Sequence, residues 1–175
     1  MKSTGIIRRI DELGRVVIPK EIRKSMNLKE GAEMEIYTSN EGLILQKHSR
    51  IENLLELAKE TAEVLAKTLS VDAVIVDLER VLVVEGDHKD KIGDKISSYL
   101  SLLLEKRKST IVDDKAMSLT ISDDSLYKNF AVSPIVVQGD LLGGIICFSS
   151  DRRVNESDLK SVDVATGYLV KRLEF

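Results

Sequence analysis

Over the first fifty residues the apolar positions come in short runs broken by turn-forming residues. Ile6 to Ile10 reads as a strand, and Asp11–Glu12–Leu13–Gly14 as a turn in which Gly14 is free to take a positive backbone angle. Arg15–Val16–Val17–Ile18 is rich in β-branched residues and reads as a second strand. Pro19 cannot continue a central strand but suits the first turn of a helix, here expected from Lys20 to Met26. On that helix Ile22 and Met26 share one face while Arg23 and Lys24 point away, and Asn27 and Gly31 supply its stop. Met34, Ile36 and Thr38 alternate with polar neighbours, the pattern of a half-buried strand over Glu33 to Thr38. Asn40–Glu41–Gly42 is a hairpin turn, and Leu43 to Lys47 returns.

The spacing then changes. Ser49 with Glu52 forms a potential capping box, and Ile51, Leu55, Ala58, Ala62, Leu65 and Leu69 follow at intervals of 4, 3, 4, 3 and 4. Such a stripe fits a helix packed on its own domain and a two-chain helix bundle equally well. Beyond it, Val71 to Asp77 and Arg80 to Val84 are strands joined by a tight turn, followed by a polar loop from Glu85 to Asp90. Ile92, Ile96, Tyr99, Leu100 and Leu103 mark a helix ending near Arg107, with Lys106, Arg107 and Lys108 at the end where cations suit the helix dipole. Ser109 to Val112 and Met117 to Ile121 are further strand candidates. Phe130 to Val137 and Leu141 to Ser149 are strong strands around Gln138–Gly139–Asp140. Gly143–Gly144 inside the second points to a bulge or to a close approach by backbone or ligand. A last helix starts after Val154, capped by Asn155, with Leu159, Val162, Ala165, Leu169 and Leu173 as its stripe. This order predicts an α+β domain on a largely antiparallel sheet.

Charge divides the chain as the periodicity does. The 175 residues carry 26 Lys and Arg against 29 Asp and Glu. Residues 1–50 hold 10 against 7, or +3, and the remainder holds 16 against 22, or −6. A basic module, 1–50, on an acidic body, 51–175, suggests a polyanion partner for the first part only; a solvated surface is the plainer alternative. Some fifty residues bury too little to be stable alone. With no cysteine or metal to help, and with Val16–Val17–Ile18 apolar on both faces, an obligate dimer is expected.

One cysteine, Cys147, excludes an internal disulfide, and with His48 and His88 it leaves too few soft ligands for structural zinc. No metal or cofactor is expected. Cys147 lies in a predicted core strand and reads as a small buried apolar residue. Phosphate-loop, nucleophile-elbow and zinc-protease motifs are missing, and Asp113–Asp114 and Asp123–Asp124 read as solvated pairs, so no enzyme is expected. No apolar run is long enough for a signal peptide or a membrane span, which predicts a soluble, cytoplasmic protein with no membrane partner.

The run from Ser3 to Tyr37, STGIIRRIDELGRVVIPKEIRKSMNLKEGAEMEIY, closely resembles the AbrB-type swapped-hairpin DNA-binding domain of bacterial transition-state regulators. That resemblance implies an intertwined dimer whose hairpins interleave into one small barrel, localised with the nucleoid on double-stranded promoter DNA. It also implies Arg8, Arg15, Arg23 and Lys24 as DNA contacts, with Arg9 a weaker candidate. Lys24 departs from the arginine usual there; it keeps the charge but loses the planar fork. Duplicated by a two-fold axis, the four main positions offer roughly eight charges to phosphates and base edges. With so short a helix, recognition leans on backbone geometry and DNA deformability. Pairing of these cations with Asp11, Glu12 and Glu21 is the structural alternative.

The segment VSPIVVQGDLLGGIICFS and the helix after it resemble a GAF domain. Taken whole, the chain resembles sporulation-phase transcription factors that join an AbrB-type domain to a C-terminal GAF domain and assemble as homotetramers through both. The GAF resemblance implies a small-molecule sensor, although the sequence names no ligand; the same fold used only for assembly stays open. An antitoxin that represses its own toxin–antitoxin genes is the competing reading. There a short disordered tail is expected in place of the periodic residues 51–175.

Overall fold

The computed structural model describes residues 4–26, 28, 30–40, 42–48, 51, 54–122 and 127–174. The chain forms two compact units, Met1–His48 and Ser49–Phe175.

In the first unit Asp11 builds the turn. Its Oδ1 accepts from the Leu13 and Arg15 amides at 3.0 and 2.8 Å, and Gly14 takes φ +77°. The Asp11 amide donates to the Arg15 carbonyl at 3.0 Å. Helix α1, Lys20–Ser25, opens directly after Pro19, which stands at its N-cap rather than inside the first turn. Strands β1, Met34–Ser39, and β2, Gly42–Lys47, pair antiparallel from Met34↔Lys47 to Ser39↔Gly42. Glu41, central in the expected hairpin turn, and Asn27, in the expected helix stop, lie outside the described residues.

Two strand expectations are not met. Residues 6–10 and 15–18 form no strand, because within one chain neither has a neighbour to complete a ladder. The half-burial expected for β1 also fails: only Met34 is partly covered, and Ile36 is 63% exposed. Among the described residues of this unit, Pro19 alone is buried. Ile7, Val17 and Leu43 are each at least 70% exposed.

The second unit is built on a five-stranded antiparallel sheet in the order β4-β3-β7-β6-β5. The strands are β3, Asp72–Asp77; β4, Val81–Glu85; β5, Thr110–Met117; β6, Tyr127–Val137; and β7, Asp140–Phe148. Helices α2, Leu55–Leu69, and α4, Glu156–Leu173, cover one face; α3, Ser98–Glu105, covers the other. Successive residues of a strand feed opposite cores. Ala73, Ile75, Ile145 and Cys147 meet Ala58, Ala62, Leu65, Val162 and Leu169, whereas Val74, Val76, Ile146 and Phe148 meet Leu100, Leu103 and Leu104. The α2 stripe therefore packs on its own domain. Ile51 is buried ahead of the helix, and the Ser49–Glu52 capping box lies outside the described residues.

The expected helix from Ile92 to Arg107 is shortened at its start. Ser97 Oγ accepts the Leu100 amide at 3.2 Å and caps α3 there. Upstream, the Ile96 amide donates to the Glu79 carbonyl and Ile96 bridges to Thr120, so the backbone is already committed to an extended path. Ile92, 51% exposed, belongs to no apolar helix face. Met117 closes β5, which runs past the expected Val112, and Met117 to Ile121 forms no separate strand.

Gly143 and Gly144 are explained by close approach of protein. A Cβ on Gly143 would stand 2.0 Å from the Val76 carbonyl oxygen, and one on Gly144 2.4 Å from Leu104 Cδ2. A bulge follows between Ile135 and Val136. Asn155 caps α4 in a reciprocal box with Asp158. Asp158 also takes a two-pronged bond from Arg152, at 2.7 and 2.9 Å, while Arg152 Nη2 donates to the Leu69 carbonyl at 2.6 Å. One guanidinium thus joins the last turn of α2 to the first turn of α4.

Arg152 holds the Asp158 carboxyl below its ordinary value of 3.8. The pair's contribution is therefore complete above that value and is lost as pH falls through the lower folded value. Arg152→Ala should cost about 2 kcal/mol, less than a fully buried pair because Arg152 is one-third exposed. Chemical denaturation of the variant at neutral and acid pH should show that loss shrinking in acid; equal losses at both pH values would refute the assignment.

Candidate nucleic-acid interface

The cations of the first unit surround the Asp11 turn in sequence. Arg8 and Arg9 lie on the segment entering it, Arg15 on the segment leaving it, and Arg23 and Lys24 in the last turn of α1. All five side chains are exposed. Arg15 Nε donates to Asp11 Oδ2 at 2.8 Å, with the Arg15 side chain still 70% exposed. The Arg15 amide first, and its guanidinium second, lower the Asp11 carboxyl below its ordinary value. Among the described residues Arg8, Arg9, Arg23 and Lys24 make no ion pair, and neither do Glu12 and Glu21. The alternative of paired arginines thus holds for Arg15 alone.

Asp11 both opens the turn and pairs with an arginine, joining the two roles that its place in the sequence suggests. One carboxylate oxygen fixes the turn backbone and the other aims the Arg15 side chain. The available signal was an Asp opening a turn that closes on glycine and arginine, where a short carboxylate reaches amides two and four residues on.

The second unit brings less chemistry together. Cys147 is fully buried, and burial pushes its thiol up to about 12. Asp113 is engaged by Arg153 Nη1 at 2.8 Å and Asn129 Nδ2 at 3.2 Å; Asp123 and Asp124 lie outside the described residues. His88, Tyr127 and Phe148 stack on one another, with ring centroids 4.3 to 5.7 Å apart, and so fill their own space. Among the described residues no group of His, Cys, Asp and Glu is placed to hold a metal, and no helix is long and apolar enough to cross a membrane.

A basic hairpin unit joined to a helix-covered antiparallel sheet is the build of a two-part regulator, and comparison with known proteins agrees. The family model described as stage V sporulation protein T C-terminal, transcription factor, matches residues 53–174. Over 99% of each chain, the protein is 39% identical to stage V sporulation protein T of Bacillus subtilis (strain 168). This chain belongs to the stage V sporulation protein T family of transcription regulators. Its N-terminal part is 54% identical to transition state regulatory protein AbrB of the same organism, over 27% of this chain and 50% of that one. A model for the MazE bacterial antitoxins, described as antidote-toxin recognition, matches residues 7–53. The second unit matches the GAF domain region of a Geobacter sulfurreducens PCA protein, with a TM-score of 0.55, at 22% identity over 71% of this chain and 95% of that one, which shows a GAF fold.

Buried and held protonated, Cys147 should resist a thiol reagent at neutral pH and react only as fast as the sheet opens. Labelling followed by mass spectrometry checks this; rapid modification of the native protein would contradict the observed burial.

Proposed function

We propose that this protein regulates sporulation-phase genes by binding promoter DNA through the first unit, with residues 1–50 as the DNA-binding domain and 51–175 as the assembly and regulatory domain. One observation carries the reading. Among its described residues, the first unit exposes most of its apolar side chains and leaves four of five candidate cations unpaired. A second copy supplies the missing cover, with 6–10 and 15–18 completing their ladders across the two chains as an interleaved hairpin dimer. Arg8, Arg9, Arg15, Arg23 and Lys24 of both chains then form one basic surface for the phosphate backbone and groove edges.

The second unit brings such dimers together into a homotetramer. In support, Val64 on α2 and Val164 and Tyr168 on α4 are 62%, 75% and 53% exposed on the helices that cover one sheet face. A small-molecule ligand of this unit is the remaining part of the proposal. The protein acts by binding rather than catalysis, in the cytoplasm at the nucleoid. The antitoxin reading has the match over residues 7–53 in its favour. It fits poorly with a 127-residue second unit that folds around two packed cores.

Arg15→Ala should lower affinity for A/T-rich promoter fragments at least tenfold in gel-shift titrations while leaving the oligomer mass unchanged. Asp11→Ala should also weaken binding although it removes a negative charge, because the turn and the Arg15 side chain lose their anchor. Equal binding by Arg15→Ala and parent across a salt series would overturn the assigned contacts.

A further inference from the structure

Six arginines and lysines of the first unit have described side chains: Arg8, Arg9, Arg15, Lys20, Arg23 and Lys24. Among the described residues Arg15 alone of these is paired with a carboxylate. The carboxylate is itself held. Asp11 Oδ1 accepts the Leu13 and Arg15 amides at 3.0 and 2.8 Å, so it stays in place while Oδ2 takes the Arg15 Nε–H at 2.8 Å. A guanidinium has five N–H donors in one plane. Asp11 uses the one on Nε. The four on Nη1 and Nη2 make no bond among the described residues, and the Arg15 side chain is 70% exposed. Arg15 therefore presents a flat edge of two nitrogens whose direction is set by the turn.

This arrangement suits one part of a DNA duplex more than another. A phosphate carries a full negative charge. Beside Arg15 it would also meet the fixed Asp11 carboxylate, so that attraction to one is offset by repulsion from the other. The major-groove edge of guanine carries no net charge and sets two acceptors, O6 and N7, side by side. A forked arginine matches that pair. Arg8, Arg9, Arg23 and Lys24 have no carboxylate beside them to offset their charge among the described residues, and so suit phosphates.

We propose that Arg15 is the base-reading residue of the first unit, aimed by Asp11 at O6 and N7 of a guanine, while the four unpaired candidate cations hold phosphates. The inference rests on the DNA-binding reading above and divides its contacts by role. Asp11 is a positioning residue in this scheme: it touches no DNA, fixes the fork of Arg15 and turns phosphates away from it. Sequence preference then comes from a pair whose charges nearly cancel, and salt-dependent affinity from the other four positions.

The test titrates the full-length protein against salt on an A/T-rich promoter duplex. Each guanine of the protected site is replaced in turn by 7-deazaguanine, which lacks the N7 acceptor. One such replacement should weaken the parent several-fold, because one acceptor of a two-pronged contact is lost. Asp11→Asn/Arg15→Gln removes one charge of each sign and keeps a side-chain oxygen for the turn amides. It should bind more weakly, be indifferent to that replacement and keep the parent's log–log salt slope. Asp11→Asn alone should blunt the sensitivity. Arg23→Gln should keep the sensitivity, with a slope shallower by about 0.9 for each phosphate no longer neutralised. A parent indifferent to every replacement, a double variant with a shallower slope or an Asp11→Asn protein with full sensitivity overturns this inference alone. A parent that binds no duplex even at low salt overturns the DNA-binding reading and this assignment with it.

Discussion

A first unit whose described apolar side chains mostly face outward, with Pro19 alone buried, has little interior to hold it together. A two-stranded hairpin is marginal in water, and α1, with six residues and none of them buried, adds little. The association proposed above would do for the first unit what a hydrophobic core does for the second. This constraint reaches the candidate interface directly. In the proposed interleaved dimer, Arg8, Arg9 and Arg15 sit on segments that gain a regular path by pairing with the second chain, so that folding, dimerisation and assembly of the basic surface would be one event. Arg15 is the exception in being oriented locally, by Asp11, before any partner arrives.

The second unit solves the opposite problem, fitting two cores to one sheet. β7 sits third of five strands and serves both layers through alternate residues. Its glycine pair lets the Val76 carbonyl approach from one side and Leu104 from the other. Side chains at those two points would push β3 and α3 away from the strand they share. The resulting GAF fold has its α2 and α4 helices on one face, with apolar residues still exposed on their outer sides.

Local chemistry was legible in the sequence wherever it was decided locally. The Asp11–Gly14 turn, the helix after Pro19, the β1–β2 hairpin, the close approach at Gly143–Gly144 and the Asn155 cap each follow from a few neighbouring residues. Reading failed where partners are distant or absent. Ile6 to Ile10 and Arg15 to Ile18 have strand composition but form no ladder within the chain. Ile92 and Ile96 share helical spacing with Leu100 and Leu103, yet the contacts of Ile96 with Glu79 and Thr120 pull that segment into an extended path. Of the candidate site, the cations stood out by charge alone, whereas their roles came from resemblance to a family. Pairing with Asp11 was one of the alternatives open from the sequence; that it falls on Arg15 came with three-dimensional geometry.

Arg152 joins the end of α2 to the start of α4, reaching a carbonyl 83 residues before it along the chain. Its partners, the Leu69 carbonyl and the Asp158 carboxylate, belong respectively to the last turn of α2 and the capped start of α4. Ends of helices ordinarily loosen one by one, but here neither can peel away without releasing the other. The two helices that cover one face of the sheet thus behave as a single cooperative unit. A disturbance at the exposed surface of either is shared by both, which gives this domain a means of conveying an event on one helix to its neighbour without distorting the sheet beneath.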